Sequence, residues 1–145
     1  MSATADTVGS ERSPADLLGI TPGMAVMEIG YESDCDEELR DAVIDRCGSE
    51  LLEEDSDEVV DAVLLWWRED DGDLVDTLVD SLGPLANSGV VWLLTPKAGR
   101  DGHVEPSDIS ESAPTAGLAQ TSTINAAKDW SGVRLVAPRV VKGRR

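Results

Sequence analysis

The sequence contains no phenylalanine, and its aromatic residues are four tryptophans and one tyrosine. Leu, Val, Ile, Ala and tryptophan must therefore fill any core. There is one histidine, His103, and there are two cysteines, Cys35 and Cys47. Two cysteines make no disulfide framework, and with one distant histidine they lack metal-ligand spacing. No apolar run approaches the roughly 20 residues that cross a bilayer. The N-terminus lacks the basic region and apolar core of a secretory signal. A cytoplasmic location with free thiols is expected. No GxxxxGK[ST] loop is present to cradle phosphate. His103 has no Ser or Cys nucleophile placed by a motif, so it belongs to no triad. Positive charge is scarce: 12 Lys and Arg stand against 29 Asp and Glu, a formal net charge of −17. Such a chain repels phosphate backbones, which disfavours nucleic acid as a partner.

The negative charge is unevenly spread. Residues 28–80 carry 21 acidic and 3 basic side chains, whereas residues 97–145 carry 5 acidic and 8 basic. The body is acidic and the end mildly basic. A charge run is usually a solvated face. Its sharper reading is a docking face for a basic partner. The basic end (Lys142, Arg144, Arg145) leaves open a transcription-linked role in which it touches nucleic acid.

At 145 residues the chain has the length of one domain. The expected organisation is a disordered tail over residues 1–14, a single α/β domain over 15–139 and a basic tail over 140–145. The organising stretch is Asp61–Lys97. Ala62 to Trp67 is apolar throughout, as a strand covered on both faces must be. A turn, REDDG, follows, and Asp71 or Asp73 can cap a helix by accepting its orphan N–H groups. Leu74, Val75, Leu78, Val79 and Leu82 recur at helical spacing, with Asp73, Asp76 and Asp80 on the other face. Gly83-Pro84 ends the helix. Asn87-Ser88-Gly89 reads as a turn, and Val90 to Leu94 as a second buried strand. Strand, helix, strand is the unit of a parallel sheet.

Upstream, Asp16 to Gly19 reads as a helical turn, Thr21-Pro22-Gly23 as a turn and Met24 to Ile29 as a first strand. Asp34 or Asp36 can cap a helix running to about Arg46, with Gly48 as its stop. Glu50-Leu51-Leu52 is a short second strand, and Glu53 to Glu58 an acidic connector. Downstream, Ser107 can cap a helix ending near Gly117, with Pro114 awkward inside it. Gln120 to Ala127 and Val133 to Ala137 form a terminal hairpin around a turn at Asp129 to Gly132.

Four stretches bear on function. Val26 to Tyr31 is a strand ending with an acid two residues before Gly30, which resembles the opening motif of class I methyltransferases. There, successive glycines let the backbone approach S-adenosylmethionine. Here Tyr31, Glu32, Ser33 and Asp34 follow Gly30, and the carboxylates of Glu28, Glu32 and Asp34 cluster where the cofactor's own carboxylate would lie. Trp66-Trp67-Arg68 stands at the carboxyl end of a central strand, where open α/β sheets bind ligands. The two tryptophans point to opposite faces, one under a helix and the other near the rim. They read as core fillers or as an aromatic anchor in an acidic rim. Lys97 follows the next strand and reads as half of a local ion pair or as an anion ligand; His103 is a loop residue. Trp130, beside Ser131-Gly132, reads as part of a packed turn.

The segments LGITPGMAVMEIGY, DAVLLWW, GVVWLLTPKAG and KDWSGVRLVAPR together resemble the bacterial domain-of-unknown-function family 3052, over about Leu17 to Arg139. The resemblance implies a small sheet of class I methyltransferase-like outline. It carries over no catalytic residue. It directs attention to Trp92, Pro96, Lys97, Trp130, Ser131 and Gly132.

The expected fold is therefore α/β: a single three-layer, Rossmann-like, mostly parallel sheet with a C-terminal antiparallel hairpin. The expected role is that of a non-catalytic interaction or regulatory protein on a degenerate methyltransferase-like scaffold. Its partner would be a protein with a basic face, and no cofactor or metal is expected. The rival is a small-molecule-binding enzyme such as a divergent S-adenosylmethionine-dependent methyltransferase. The candidate rim for either is Gly30, Tyr31, Trp66, Trp67, Arg68, Lys97 and Trp130.

Overall fold

A computed structural model describes residues 13–137. Its elements are α1 (Pro14–Leu17), β1 (Val26–Ile29), α2 (Glu37–Cys47), β2 (Val60–Trp66), α3 (Leu74–Leu82), β3 (Leu85–Pro96), α4 (Pro106–Thr115), β4 (Ala119–Asn125) and β5 (Trp130–Val136). The strands form one five-stranded sheet in the order β1-β2-β3-β5-β4. The basic tail over 140–145, and nearly all of the N-terminal tail, fall outside the described residues. Ser13 and Pro14 do not: Ser13 caps α1 and Pro14 opens it.

The sheet is mixed, where a mostly parallel one was expected. β1 pairs with β2 and β2 with β3 in parallel, but β5 runs antiparallel to both β3 and β4. A short hairpin connection can only reverse the chain, so the β4–β5 link inserts one reversed strand. The expected edge hairpin is present, with β4 outermost.

Side chains alternate across the sheet. Val26, Ala62, Leu64, Trp66, Trp92 and Leu94 pack with α1 and α2 in one cluster. Met27, Val63, Leu65, Trp67, Val91 and Leu93 pack with α3 and α4 in the other. Helices thus cover both faces of the sheet.

Local chemistry explains the ends. Asp36 caps α2 through the Leu39 amide, and Gly48 closes it in the left-handed region at φ 87°, where a Cβ would be strained. Asp73 caps α3 through the Asp76 amide. Gly83 is right-handed, so α3 ends without a left-handed cap. The expected Asn87–Gly89 turn is absent, because β3 already begins at Leu85 and takes up the offset as an irregular register against β2. Glu50–Leu52 shrinks to one parallel bridge, Leu52 to Met27. α4 is capped by Glu105 without a side-chain bond, and Pro106 at its start takes the place expected for Ser107. Pro114 sits in the last turn of α4. Trp130–Gly132 belongs to β5, which shifts the hairpin turn upstream.

Candidate functional site

β1 and β2 end side by side, and the chain after each folds over the same corner. β1 stops at Gly30, whose φ is +82°. A Cβ there would lie 2.4 Å from the Trp66 carbonyl oxygen. Glycine is thus required by the protein's own backbone, in both conformation and space.

Arg68 fills the corner. Its side chain turns back from the end of β2 and is only 7% exposed. Nη1 donates to the Gly30 carbonyl at 2.9 Å and the Trp66 carbonyl at 3.3 Å. Nη2 and Nε engage Asp34 at 2.5 and 3.1 Å. Nη1 also meets Asp71 at 3.2 Å, and Nη2 reaches the Cys35 sulfur at 3.3 Å. A planar guanidinium with five donors suits a fork of this kind. Burial alone would pull the Arg68 guanidinium down. Its bonds to Asp34 and Asp71 outweigh that and hold it above the ordinary arginine value. The same bond holds the Asp34 carboxyl below its usual range. Burial pushes the Cys35 thiol up to about 11, so at neutral pH it is an inert thiol.

Two tryptophans line the corner on the α2 side. Trp66 and Trp130 meet edge to face, with centroids 4.8 Å apart and planes at 82°. Trp130 Nε1 donates to the Asp34 carbonyl at 3.2 Å, and the Arg68 guanidinium lies 5.2 Å from its ring centre. Trp66 Nε1 donates to Glu28 at 2.9 Å. The Glu28 side chain is 8% exposed and is held in a bidentate pair by Arg40, at 2.6 and 2.9 Å. That pair raises Arg40 above its ordinary value. The Arg40 guanidinium also covers the Tyr31 ring at 4.1 Å. The Tyr31 hydroxyl donates to Glu37, which raises Tyr31 and lowers Glu37.

The fold thus brings Gly30, Tyr31, Trp66, Arg68 and Trp130 to one corner and sends two candidates elsewhere. Arg68 is buried and not a rim residue. Trp67 is also buried, on the α3 face, so neither tryptophan of the pair lies at the rim. Lys97 lies past β3, where its amide donates to the Asp129 carbonyl. Among the described residues its ammonium makes no ion pair; Arg100 pairs with Asp129 instead, at 3.3 Å. Ser131 and Gly132 continue β5, and Trp92 ties the sheet to the Leu18 carbonyl at 2.9 Å. His103 Nδ1 lies 2.9 Å from the Pro96 carbonyl, which can only accept, so Nδ1 carries the proton.

The clustering of carboxylates around Gly30 is corrected in part. Arg40 neutralises Glu28, and Arg68 neutralises Asp34; only Glu32 is left without an ion pair among the described residues. Glu28, Arg40 and Asp34 are working members of the network that sequence reasoning missed as such. The one available signal was a lone arginine, Arg40, one turn into an acidic helix.

Two clefts flank Gly30. One, of about 500 Å³, runs on the α3 side over Met27, Ile29, Leu65 and Trp67, with Glu32 and Glu54 at its rim. The other, of about 530 Å³, lies outside β1 between Tyr31–Arg40 and the acidic segment Glu50–Asp55. Among the described residues no group of three or more His, Cys, Asp and Glu side chains could hold a metal ion. No helix among them is long and apolar enough to cross a membrane.

The architecture is that of a methyltransferase-like α/β fold. The chain is similar to a SAM-dependent methyltransferase from Aquifex aeolicus, at 15% identity and a TM-score of 0.54, over 86% of this chain and 89% of that one. It is similar to the mitomycin 7-O-methyltransferase MmcR at 13% identity and a TM-score of 0.63, over 86% of this chain and 53% of that one. A SAM-dependent methyltransferase from Thiobacillus denitrificans, solved with S-adenosyl-L-homocysteine, matches at 12% identity and a TM-score of 0.55, over 86% and 90%. Likeness at such identity shows the fold alone. The chain itself belongs to the family described as Protein of unknown function (DUF3052), matched over residues 15–139. Uncharacterized proteins of Mycobacterium tuberculosis and Mycobacterium bovis are 54% identical to it over 131 residues, 90% of this chain and 82% of theirs.

Proposed function

We propose that this chain is a non-catalytic interaction protein, built on a methyltransferase-like sheet whose ligand corner has been closed from within. The observation that carries the reading is Arg68. Its guanidinium occupies the carboxyl-end corner of β1 and β2, and Gly30, Trp66, Asp34 and Asp71 take up its donors. A nucleoside donor would have to displace a buried, paired cation, which leaves two carbonyls and two carboxylates without it. The glycine at the corner makes room for the Trp66 carbonyl and not for a ligand. These residues do not fit S-adenosylmethionine. The acidic body then acts as an interaction face, and its partner is a protein with a basic surface.

Isothermal calorimetry with S-adenosylmethionine and S-adenosylhomocysteine tests the first half, with no heat of binding expected. Binding at micromolar concentration would establish the rival reading, a divergent methyltransferase. That rival draws on the cleft outside β1 and on the fold likeness. The second half is tested by affinity capture from cell extract at low and moderate salt. Failure to retain any protein at near-stoichiometric yield counts against it.

A further inference from the structure

The two edges of the sheet are finished differently. Along β1, Leu52 forms a parallel bridge to Met27. The Glu28 amide donates to the Leu52 carbonyl at 2.9 Å, and the Leu52 amide donates to the Val26 carbonyl at 2.8 Å. Glu50, Glu53 and Glu54 stand beside that bridge. β4, at the other edge, pairs with β5 on its inner side, and no described residue pairs with its outer side. α4 packs on β4 over the face of the sheet, with Ile109 and Ala113 in the apolar cluster there. Gln120 to Thr123 remain exposed.

An open strand edge presents a row of unused backbone donors and acceptors, and proteins normally blunt it with charge, proline or a bulge. β4 (AQTSTIN) has no charged residue and no proline, and its Thr121, Thr123 and Ile124 suit an extended chain. Its one interruption lies between Gln120 and Ser122. There Thr121 Oγ1 is tied to Arg134, accepting from Nη1 at 3.1 Å and donating to the carbonyl at 3.3 Å. From Ser122 to Asn125 the pairing with β5 is regular. The lack of charge extends beyond the strand: residues 112–127 carry no Asp, Glu, Lys or Arg, in a chain of net charge −17. Two copies of such a chain repel each other wherever their acidic surfaces meet. At the β4 edge they can approach without like charges face to face.

We infer that β4 pairs antiparallel with β4 of a second copy of this chain, about a two-fold axis near Thr123, so that the two sheets become one. In that arrangement Thr123 faces its own copy, a favourable cross-strand pair, and Ser122 faces Ile124. A partner of opposite charge gains nothing from a neutral edge, whereas a like-charged copy needs one. A single pair of strands of this length buries less than the roughly 1,200 Å² of a standard interface, so the dimer is weak, with a Kd of about 100 µM. The inference concerns the edge of the sheet far from β1 and is independent of the interaction reading above.

The full chain is followed by analytical ultracentrifugation at concentrations on both sides of that Kd, from about 10 µM to about 1 mM. Its weight-average mass should rise from 15.4 kDa toward twice that value. Amide hydrogen exchange in β4 should slow several-fold over the same range. Raising NaCl from about 20 to about 300 mM should tighten the association several-fold by screening repulsion, the opposite sign to binding of a basic partner. T123E and T123K each set like charges opposite each other across the two-fold axis and should weaken association about tenfold or more. An equimolar mixture of the two should restore it to within about threefold of wild type. V79K places a charge at a residue of α3 that is 49% exposed and should leave association unchanged. Folding of every variant is verified by circular dichroism. A monomer throughout the concentration range would overturn the inference. So would a mixture no better than either variant alone, an equal loss from V79K, or association that weakens with salt. Slow exchange in β4 that is already present at the lowest concentration and does not change with it would show that the chain covers its own edge, and overturns the inference as well.

Discussion

The two faces of the sheet treat charge in opposite ways. On the α1/α2 face, ionic side chains are drawn inward and matched: Glu28 with Arg40, and Arg68 with Asp34 and Asp71 around the edge. Trp66 and Trp130 complete that cluster and give their N–H groups to it. On the α3/α4 face the buried polar groups are the uncharged Ser81 and Thr95, and Glu32, Glu54 and Asp80 line an open cleft without an ion pair among the described residues. The difference shows what three arginines within an acidic body can do. Arg40 and Arg68 are spent on closing one corner, and Arg46 pairs with Asp16. None is left among residues 28–80 for the other face.

The contrast can be broken most severely at Gly30. G30A places a methyl group against the Trp66 carbonyl and forces a left-handed alanine, so destabilisation of about 3–5 kcal/mol is expected, read by urea denaturation. R68M keeps the bulk of the side chain but strips the corner of its donors. A loss of about 2–4 kcal/mol follows, and quenching of Trp66 and Trp130 by acrylamide should rise as the corner opens. E28Q leaves a bond to Trp66 but removes the charge opposite Arg40, which is partly exposed and can turn to water. A smaller loss of about 1–2 kcal/mol is expected in the same assay.

The pH dependence sharpens the contrast. Arg68 lowers the folded Asp34 value below the ordinary 3.8, so the folded state binds that proton less readily than the unfolded chain. The stabilisation is complete above the unfolded value and is lost as pH falls through the folded one. The stability difference between wild type and D34N should therefore be flat near neutral pH and shrink below about pH 4. A difference that persists undiminished at lower pH would show that the Arg68–Asp34 bond is not its source. The smallest effect belongs to the cleft. E32Q/E54Q/D80N removes charges that make no ion pair among the described residues, and stability should change by less than about 0.5 kcal/mol per site.

Much of the secondary structure follows from local rules. Asp36, Gly48 and Asp73 mark helix ends through chemistry that acts within a few residues. The alternation of Trp66 and Trp67 between faces is a property of any strand. The irregular start of β3 was hidden, because Asn87-Ser88-Gly89 has turn composition yet lies within the strand, between Leu85 and Val90, which pair with β2. The burial of Arg68 was hidden more deeply. Next to Glu69, Asp70 and Asp71 it has the composition of a surface turn. Only the loop 30–36, folded over from β1, supplies the Asp34 carboxylate and the Gly30 carbonyl that make burial tolerable. Lys97, with a similar local setting, finds no such partner among the described residues.

The order of amino acids alone determined the α/β class, the acidic body, the stop at Gly48, the starts of α2 and α3 to within two residues and the glycine position at the end of β1, since each depends on spacing or composition within a short window. Tertiary structure decided the reversed strand inside the sheet, which arginine is buried and which carboxylates are neutralised. Those outcomes depend on groups distant in sequence, such as Arg68 and Asp34, meeting where water is excluded. There a charge is stable only if the fold delivers its partner.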